Sequence, residues 1–176
     1  MLSKEQVKKI CAGIKNARIG IIGDFCVDIY WHADMRKSEL SRETPHYPLP
    51  IVGERVYLGA GGNVAANLAA LAPKELFAVS LIGGDWRGML MEDIFERSGM
   101  NSDFVIKAPD RCTNAYCKPM RKGISELEYE DPRLDFGNYE PISEETEDRV
   151  IENLQKVAEN IDVLCVADQF MFGIIT

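Results

Sequence analysis

Two carboxylates stand in the segment Gly23-Asp24-Phe25-Cys26-Val27-Asp28-Ile29-Tyr30-Trp31, directly after the apolar run Arg18-Ile-Gly-Ile-Ile-Gly23. In open α/β sheets the position just beyond a buried strand is where ligands bind. A carboxylate placed there can accept hydrogen bonds from two vicinal hydroxyls, each charge-assisted bond contributing about 1.5 to 3 kcal/mol when shielded from water. Asp24 and Asp28 would also serve simply to cap a turn. A second candidate is Gly59-Ala60-Gly61-Gly62-Asn63, ahead of an Ala- and Leu-rich stretch. Glycines let backbone amides approach a ligand, and a helix N-terminus favours polar or anionic groups. The same small residues also suit close packing of a helix on a sheet. This turn is not the dinucleotide fingerprint G-x-G-x-x-G, because Val64 occupies the third position. His32 and His46 have no metal or triad partner at a recognisable spacing and are expected on the surface. The five cysteines are odd in number and form no zinc-type C-x-x-C pair, so they read as reduced thiols.

The elements that position these residues can be read from periodicity. Ser3 and Gln6 form a capping-box pattern ahead of Val7, Ile10, Cys11 and Ile14, which predicts a peripheral amphipathic helix over 3–16. Residues 18–23 read as a strand buried on both faces of a parallel sheet. Residues 62–71 read as a helix opening from the glycine turn, 76–82 as a second buried strand, and 85–97 as a helix capped by Asp85 and closed at Gly99. Ser143 caps a helix running to about 160, and 163–167 is a third buried strand. Strand and helix alternate, which favours a parallel α/β sheet. Residues 36–57 contain Pro45, Pro48 and Pro50 and leave the main layer as edge strands or an excursion. Extended stretches at 112–120 and 126–130, separated by Lys122-Gly123, resemble a hairpin that would join that excursion in a second small sheet.

Composition excludes several classes. With 28 acidic against 20 basic residues and a formal charge of −8, the surface is not built to neutralise nucleic-acid or membrane phosphates. The N-terminus interleaves charged and apolar residues, with no signal-peptide core, and no run approaches the roughly 20 apolar residues of a membrane span, so a cytoplasmic location is expected.

Several blocks in order resemble the N-terminal half of PfkB/ribokinase-type carbohydrate kinases. They are GDFCVDIYW, Ser41-Arg-Glu-Thr-Pro45, Gly53-Glu-Arg55, GAGGNVAANLAAL, Leu81-Ile-Gly-Gly-Asp85, Arg133-Leu-Asp-Phe136 and Glu140-Pro-Ile-Ser143. The likeness runs from Arg18 to Thr176 and is nearest to the heptose-phosphate kinase branch, which makes an ADP-heptose precursor of the lipopolysaccharide core. It implies a ribokinase-like three-layer αβα fold, present as its N-terminal half, with a small β lid formed by excursions at about 36–58 and 109–131. Asp28 matches the aspartate that grips sugar hydroxyls, Gly59, Gly61 and Gly62 lie in the sugar-binding turn, and Asn63 matches the asparagine that hydrogen-bonds the sugar. Asp24 adjoins this set, Asp168 matches a position near the substrate, and Lys118 is placed either to meet a substrate phosphate or as an ordinary solvated lysine. The resemblance further implies ATP and Mg2+ as cofactors of the complete enzyme, neither bound tightly by this chain alone, a sugar or sugar-phosphate substrate, and a homodimer formed through the lid.

Two departures stand out. Ala60 takes the place of a second adjacent glycine, and Ala72 that of a glycine ending the following helix. The family's G-A-G-D motif, which holds the general base and the anion hole, belongs to the C-terminal half and does not occur in this sequence. Phosphoryl transfer needs both, so the chain alone is expected to be inactive, either as one half of an enzyme or as a sugar-binding or regulatory remnant.

Overall fold

The computed structural model describes residues 2–125 and 127–175. Its main layer is a parallel sheet in the order β5-β4-β1-β9, made of β1 (Arg18–Gly23), β4 (Glu75–Gly83), β5 (Asn101–Ala108) and β9 (Val163–Ala167). Side chains alternate across β1. Ile19 and Ile21 enter a core shared with Leu76, Ala78, Met91 and Phe95, while Ile22 enters a second core with Val79, Val150 and Val157. Helices α2 (Gly61–Ala70) and α3 (Trp86–Ser98) supply the first core and α4 (Glu144–Ala158) the second, which gives three layers, αβα.

The caps are those expected from the sequence. Ser3 and Gln6 close a full capping box on α1 (Lys4–Ile14), a helix that buries no residue. The Asp85 carboxylate accepts from the Arg87 and Gly88 amides, and Gly99 ends α3 at φ 70°. Asp85 also accepts from the Thr113 amide at 3.0 Å and pairs with the buried Arg87 at 2.7 Å. Burial alone would raise its carboxyl pKa. The Thr113 and Gly88 amides and the Arg87 charge outweigh burial and lower it.

A second sheet has the order β3-β2-β6-β7, with β8 beside β6. Its strands are β2 (Phe25–Asp34), β3 (Ile51–Ala60), β6 (Ala115–Lys122), β7 (Glu128–Glu130) and β8 (Leu134–Phe136). The hairpin expected around Lys122-Gly123 is present as β6 and β7, paired from Met120–Glu130 to Lys122–Glu128, and Glu126 of the expected second stretch lies outside the described residues. Four elements differ from the sequence reading. β9, read as a buried strand, is the last strand of its sheet and leaves Val163, Leu164 and Val166 exposed, and β8 is an additional strand beside β6. The other two are β2 and β5. Residues 25–34 are a ten-residue strand, not a post-strand turn. Val27, Ile29 and Trp31 face the core with Leu58, Val56 and Cys117, while the residues between them face away. β5 is an additional core strand.

The two alanines that replace expected glycines are the two non-glycine residues with positive φ among those described, Ala60 at 51° and Ala72 at 52°. Ala60 has ψ −132°, a conformation natural to glycine and strained by a Cβ. Ala60→Gly is expected to stabilise the fold by about 1 kcal/mol, the relief of strain exceeding the extra chain entropy glycine brings to the unfolded state. Urea unfolding followed by circular dichroism checks this, and an unchanged or lower midpoint would count against strain at this position.

Candidate functional site

β1 has β4 on one side and β9 on the other. The crevice beyond the carboxyl ends of β1 and β9 is the point where an open α/β sheet offers a ligand site. The glycine turn is drawn tightly into it. The Gly61 amide donates to the Asp24 carbonyl at 2.7 Å, and a Cβ on Gly61 would meet that carbonyl at 2.9 Å and the Ala167 Cβ at 3.0 Å. Asp168 follows Ala167 directly and is exposed. The N-cap of α2 is Ala60, and no side chain among the described residues caps this helix start.

Asp24 does not face this crevice as a free carboxylate. It is 2% exposed. One oxygen accepts from the Gln169 and Phe170 amides at 2.9 and 2.8 Å, and the other from the Ile174 amide at 2.8 Å. A Cβ on Gly173 would collide with the same carboxylate. Asp24 therefore latches the turn after β9 onto the start of β2.

Asp28 lies in the second sheet, on the face turned away from the core. Strand register places Tyr57, Asp28, Tyr116 and Asp135 in one row across β3, β2, β6 and β8, with Arg55, Tyr30 and Lys118 in the next. Gly59 stands opposite Cys26. A Cβ there would meet the Cys26 sulfur at 2.6 Å and the Asp28 carboxyl carbon at 3.0 Å, so glycine lets Asp28 lie close to the turn. Gly62 packs on Leu58 and Phe25. Asn63 is exposed near the start of α2, beside a depression shared with Tyr57, Ile94 and Arg97. Its side chain makes no hydrogen bond among the described residues.

Lys118 is not a freely solvated lysine. Its ammonium is 3.1 Å from Asp28 Oδ1, donates to the Tyr30 hydroxyl at 3.1 Å and sits 4.6 Å from that ring's centre. Burial alone would lower its pKa. The bonds to Tyr30 and Asp28 outweigh burial and raise it, so Lys118 stays charged at neutral pH. Asp28 Oδ1 is buried and pairs with the Lys118 ammonium at 3.1 Å, while 22% of the Asp28 side chain stays exposed. The other oxygen, Oδ2, accepts no hydrogen bond among the described residues. Beside it, burial and then the Asp28 charge push the Cys26 thiol up to about 12, leaving it protonated and unreactive.

The sequence reading missed the rest of this face. Tyr116, beside Asp28, lies under the Arg133 guanidinium at 4.0 Å and meets Phe170 edge-on at 6.2 Å. Asp135 holds Arg133 through contacts of 2.6 and 2.7 Å. His32 is not isolated on the surface either. Arg55 donates to its Nε2 at 2.9 Å, and its Nδ1 is 2.9 Å from Glu128. The alternation C-V-D-I-Y-W-H-A was the available signal for this face.

No helix among the described residues is long and apolar enough to cross a membrane. No family model matches the chain. The bifunctional protein HldE of Geobacter metallireducens is 26% identical over 175 residues, covering 99% of this chain and 34% of that protein. HldE of Trichlorobacter lovleyi is 27% identical, with the same coverage. The chain thus spans about a third of the length of these curated relatives. Among solved structures, a carbohydrate kinase from Agrobacterium tumefaciens superposes with a TM-score of 0.61 at 17% identity, covering 85% of this chain and 45% of that one. Arabidopsis thaliana ribokinase complexed with ribose and ATP gives 0.53 at 16% identity, covering 85% and 53%. The chain has the fold of the ribokinase-like carbohydrate kinases, and along nearly its whole length its sequence is similar to part of the HldE proteins.

Proposed function

We propose that this chain is the sugar-binding half of a carbohydrate kinase, and that the complete protein transfers the γ-phosphate of ATP, with Mg2+, to a hydroxyl of a sugar or sugar phosphate. The observation that carries this reading is Asp28. Its carboxylate is held by Lys118 through Oδ1, leaves Oδ2 without a hydrogen bond among the described residues, lies beside the Gly59 turn and is flanked by Tyr57 and Tyr116. Such an acceptor, walled by aromatic rings, suits a pair of vicinal hydroxyls. Lys118 orients the carboxylate and lends charge to a phosphate on the sugar.

Asn63, at the start of α2 near Tyr57, and Asp168, just past β9, belong to the same reading as further sugar contacts. Gly59 leaves room for Asp28, while Gly61 and Gly62 let the turn pack on Asp24 and on Leu58 and Phe25. ATP and Mg2+ are assigned no residues in this chain. The sequence lacks the G-A-G-D motif to which the resemblance assigns the general base and the anion hole. The exposed Val163, Leu164 and Val166 of β9 offer an apolar edge on which a C-terminal half would continue the sheet. The free edge of β3, with Ile51 and Val52 exposed, offers the strand for pairing two copies.

An ADP-release assay on this chain and on a version extended to the natural stop codon tests the reading. Turnover is expected from the extended protein alone. Turnover by the 176-residue chain would sink the division of labour. A stop codon immediately after Thr176 would instead favour an inactive sugar-binding or regulatory remnant.

A further inference from the structure

Arg111 is a cation that the reading above leaves without a role. It stands partly buried in the loop between β5 and β6 and forms no ion pair among the described residues. Burial lowers its pKa, and the cost of that desolvation is offset by hydrogen bonds to two backbone carbonyls. Nη1 donates to the Glu140 carbonyl at 2.9 Å and Nη2 to the Phe172 carbonyl at 2.5 Å. Charge-assisted bonds of this kind are about twice as strong as neutral ones, and the planar guanidinium fixes their directions. Arg111 thus clips together its own loop, the stretch ahead of α4 and the turn after β9.

That turn is gripped from another side as well. The Asp24 carboxylate holds its amides at Gln169, Phe170 and Ile174, while Arg111 holds its carbonyl at Phe172. Asp24 lies where β1 passes into β2, whereas Arg111 leads into β6, the strand that carries Tyr116 and Lys118. Asn138 stiffens the Arg111 loop, donating to the Cys112 carbonyl and Asn114 Oδ1 and accepting from the Cys112 amide. Among the described residues, the bond from Arg111 to Phe172 is the only hydrogen bond joining this loop to the turn. Tyr116 shows what the join sets. The Arg133 guanidinium lies over its ring at 4.0 Å, and Phe170 meets it edge-on at 6.2 Å. Its strand neighbour is Asp28.

We propose that Arg111 is a positioning residue for the Asp28 face. By fixing the turn against the loop before β6 it seats Phe170 on Tyr116, and Tyr116 beside Asp28, before any sugar arrives. It touches no substrate itself. Without the clip the turn keeps its Asp24 latch but is free to swing away from β6, so binding must order Phe170 and Tyr116 again. The inference rests on the sugar-kinase reading and adds to it the residue that holds the site in one shape.

Arg111→Met removes both bonds, while Arg111→Lys keeps the charge and can keep one of them. Ile19→Val, a core truncation at the amino end of β1, is the control for lost stability alone. Thermal melts establish which variants fold. NMR then reads the contact between the Tyr116 and Phe170 rings as a nuclear Overhauser effect, and calorimetry reads affinity for D-ribose, D-mannose and their terminal phosphates. Arg111→Met is expected to lose the ring contact and raise Kd about tenfold, and Arg111→Lys to raise it about threefold. Ile19→Val should lower the melting temperature and leave contact and Kd unchanged. Arg111 variants that keep the ring contact, or lose it with Kd unchanged, overturn the positioning role and leave the sugar-kinase reading standing. A parent chain that binds none of these probes overturns the role together with that reading. Should Arg111→Met fail to fold, Arg111→Lys decides alone by the same contact and the same Kd.

Discussion

Asp24→Ala is expected to cost about 3 to 5 kcal/mol of folding stability, the largest single-residue effect in this molecule outside its apolar core. The carboxylate is 2% exposed and accepts three backbone N–H groups at 2.8 to 2.9 Å. Removing it leaves three donors without an acceptor, that of Ile174 buried and those of Gln169 and Phe170 part-buried, each costing up to about 1 to 3 kcal/mol before relaxation. Asn in its place keeps one acceptor oxygen, which can hold the Gln169 and Phe170 amides, but turns an N–H toward that of Ile174. Asp24→Asn should therefore fall between parent and alanine. Urea unfolding gives the values. A loss below about 1 kcal/mol for Asp24→Ala would show that the turn after β9 does not depend on this carboxylate.

The second large effect is on ligand affinity. Asp28→Ala should weaken sugar binding by about 1 to 3 kcal/mol through lost hydrogen bonds, with Asn63→Ala in the same range in the complete enzyme. Because Lys118 loses its carboxylate partner in Asp28→Ala, Lys118→Met separates the two contributions. A neutral sugar should feel Lys118→Met much less than Asp28→Ala, whereas a phosphorylated one should feel both. Equal affinity of the parent and Asp28→Ala for every sugar would refute the assignment.

Much of the main layer was legible because its signals are local. The run 18–23, the Asp85 cap and Gly99 each act within a few residues, and each produced the expected element. The second sheet was harder to read. Only Asp24 separates β1 from β2, so the chain passes between sheets at one residue, and Gly-Asp read as the end of a strand. β8 is three residues long and exists only through pairing with β6, while β5 is an eight-residue strand in which apolar and polar residues do not alternate cleanly. The candidate site divides in the same way. Asp28 and the glycine turn are visible as residue types, but the Asp24 latch joins residues about 150 positions apart, and no local pattern announces it. Nor could the sequence show Tyr116 beside Asp28, because that neighbour is set by the register of two parallel strands.

Calorimetric titration of the chain with a panel of sugars and sugar phosphates, repeated on Asp28→Ala, tests the central claim most directly. The account predicts saturable binding of at least one sugar by the parent and a loss of about 1 to 3 kcal/mol in the variant. Binding of NAD with no sugar bound, or sugar binding indifferent to Asp28, would contradict it.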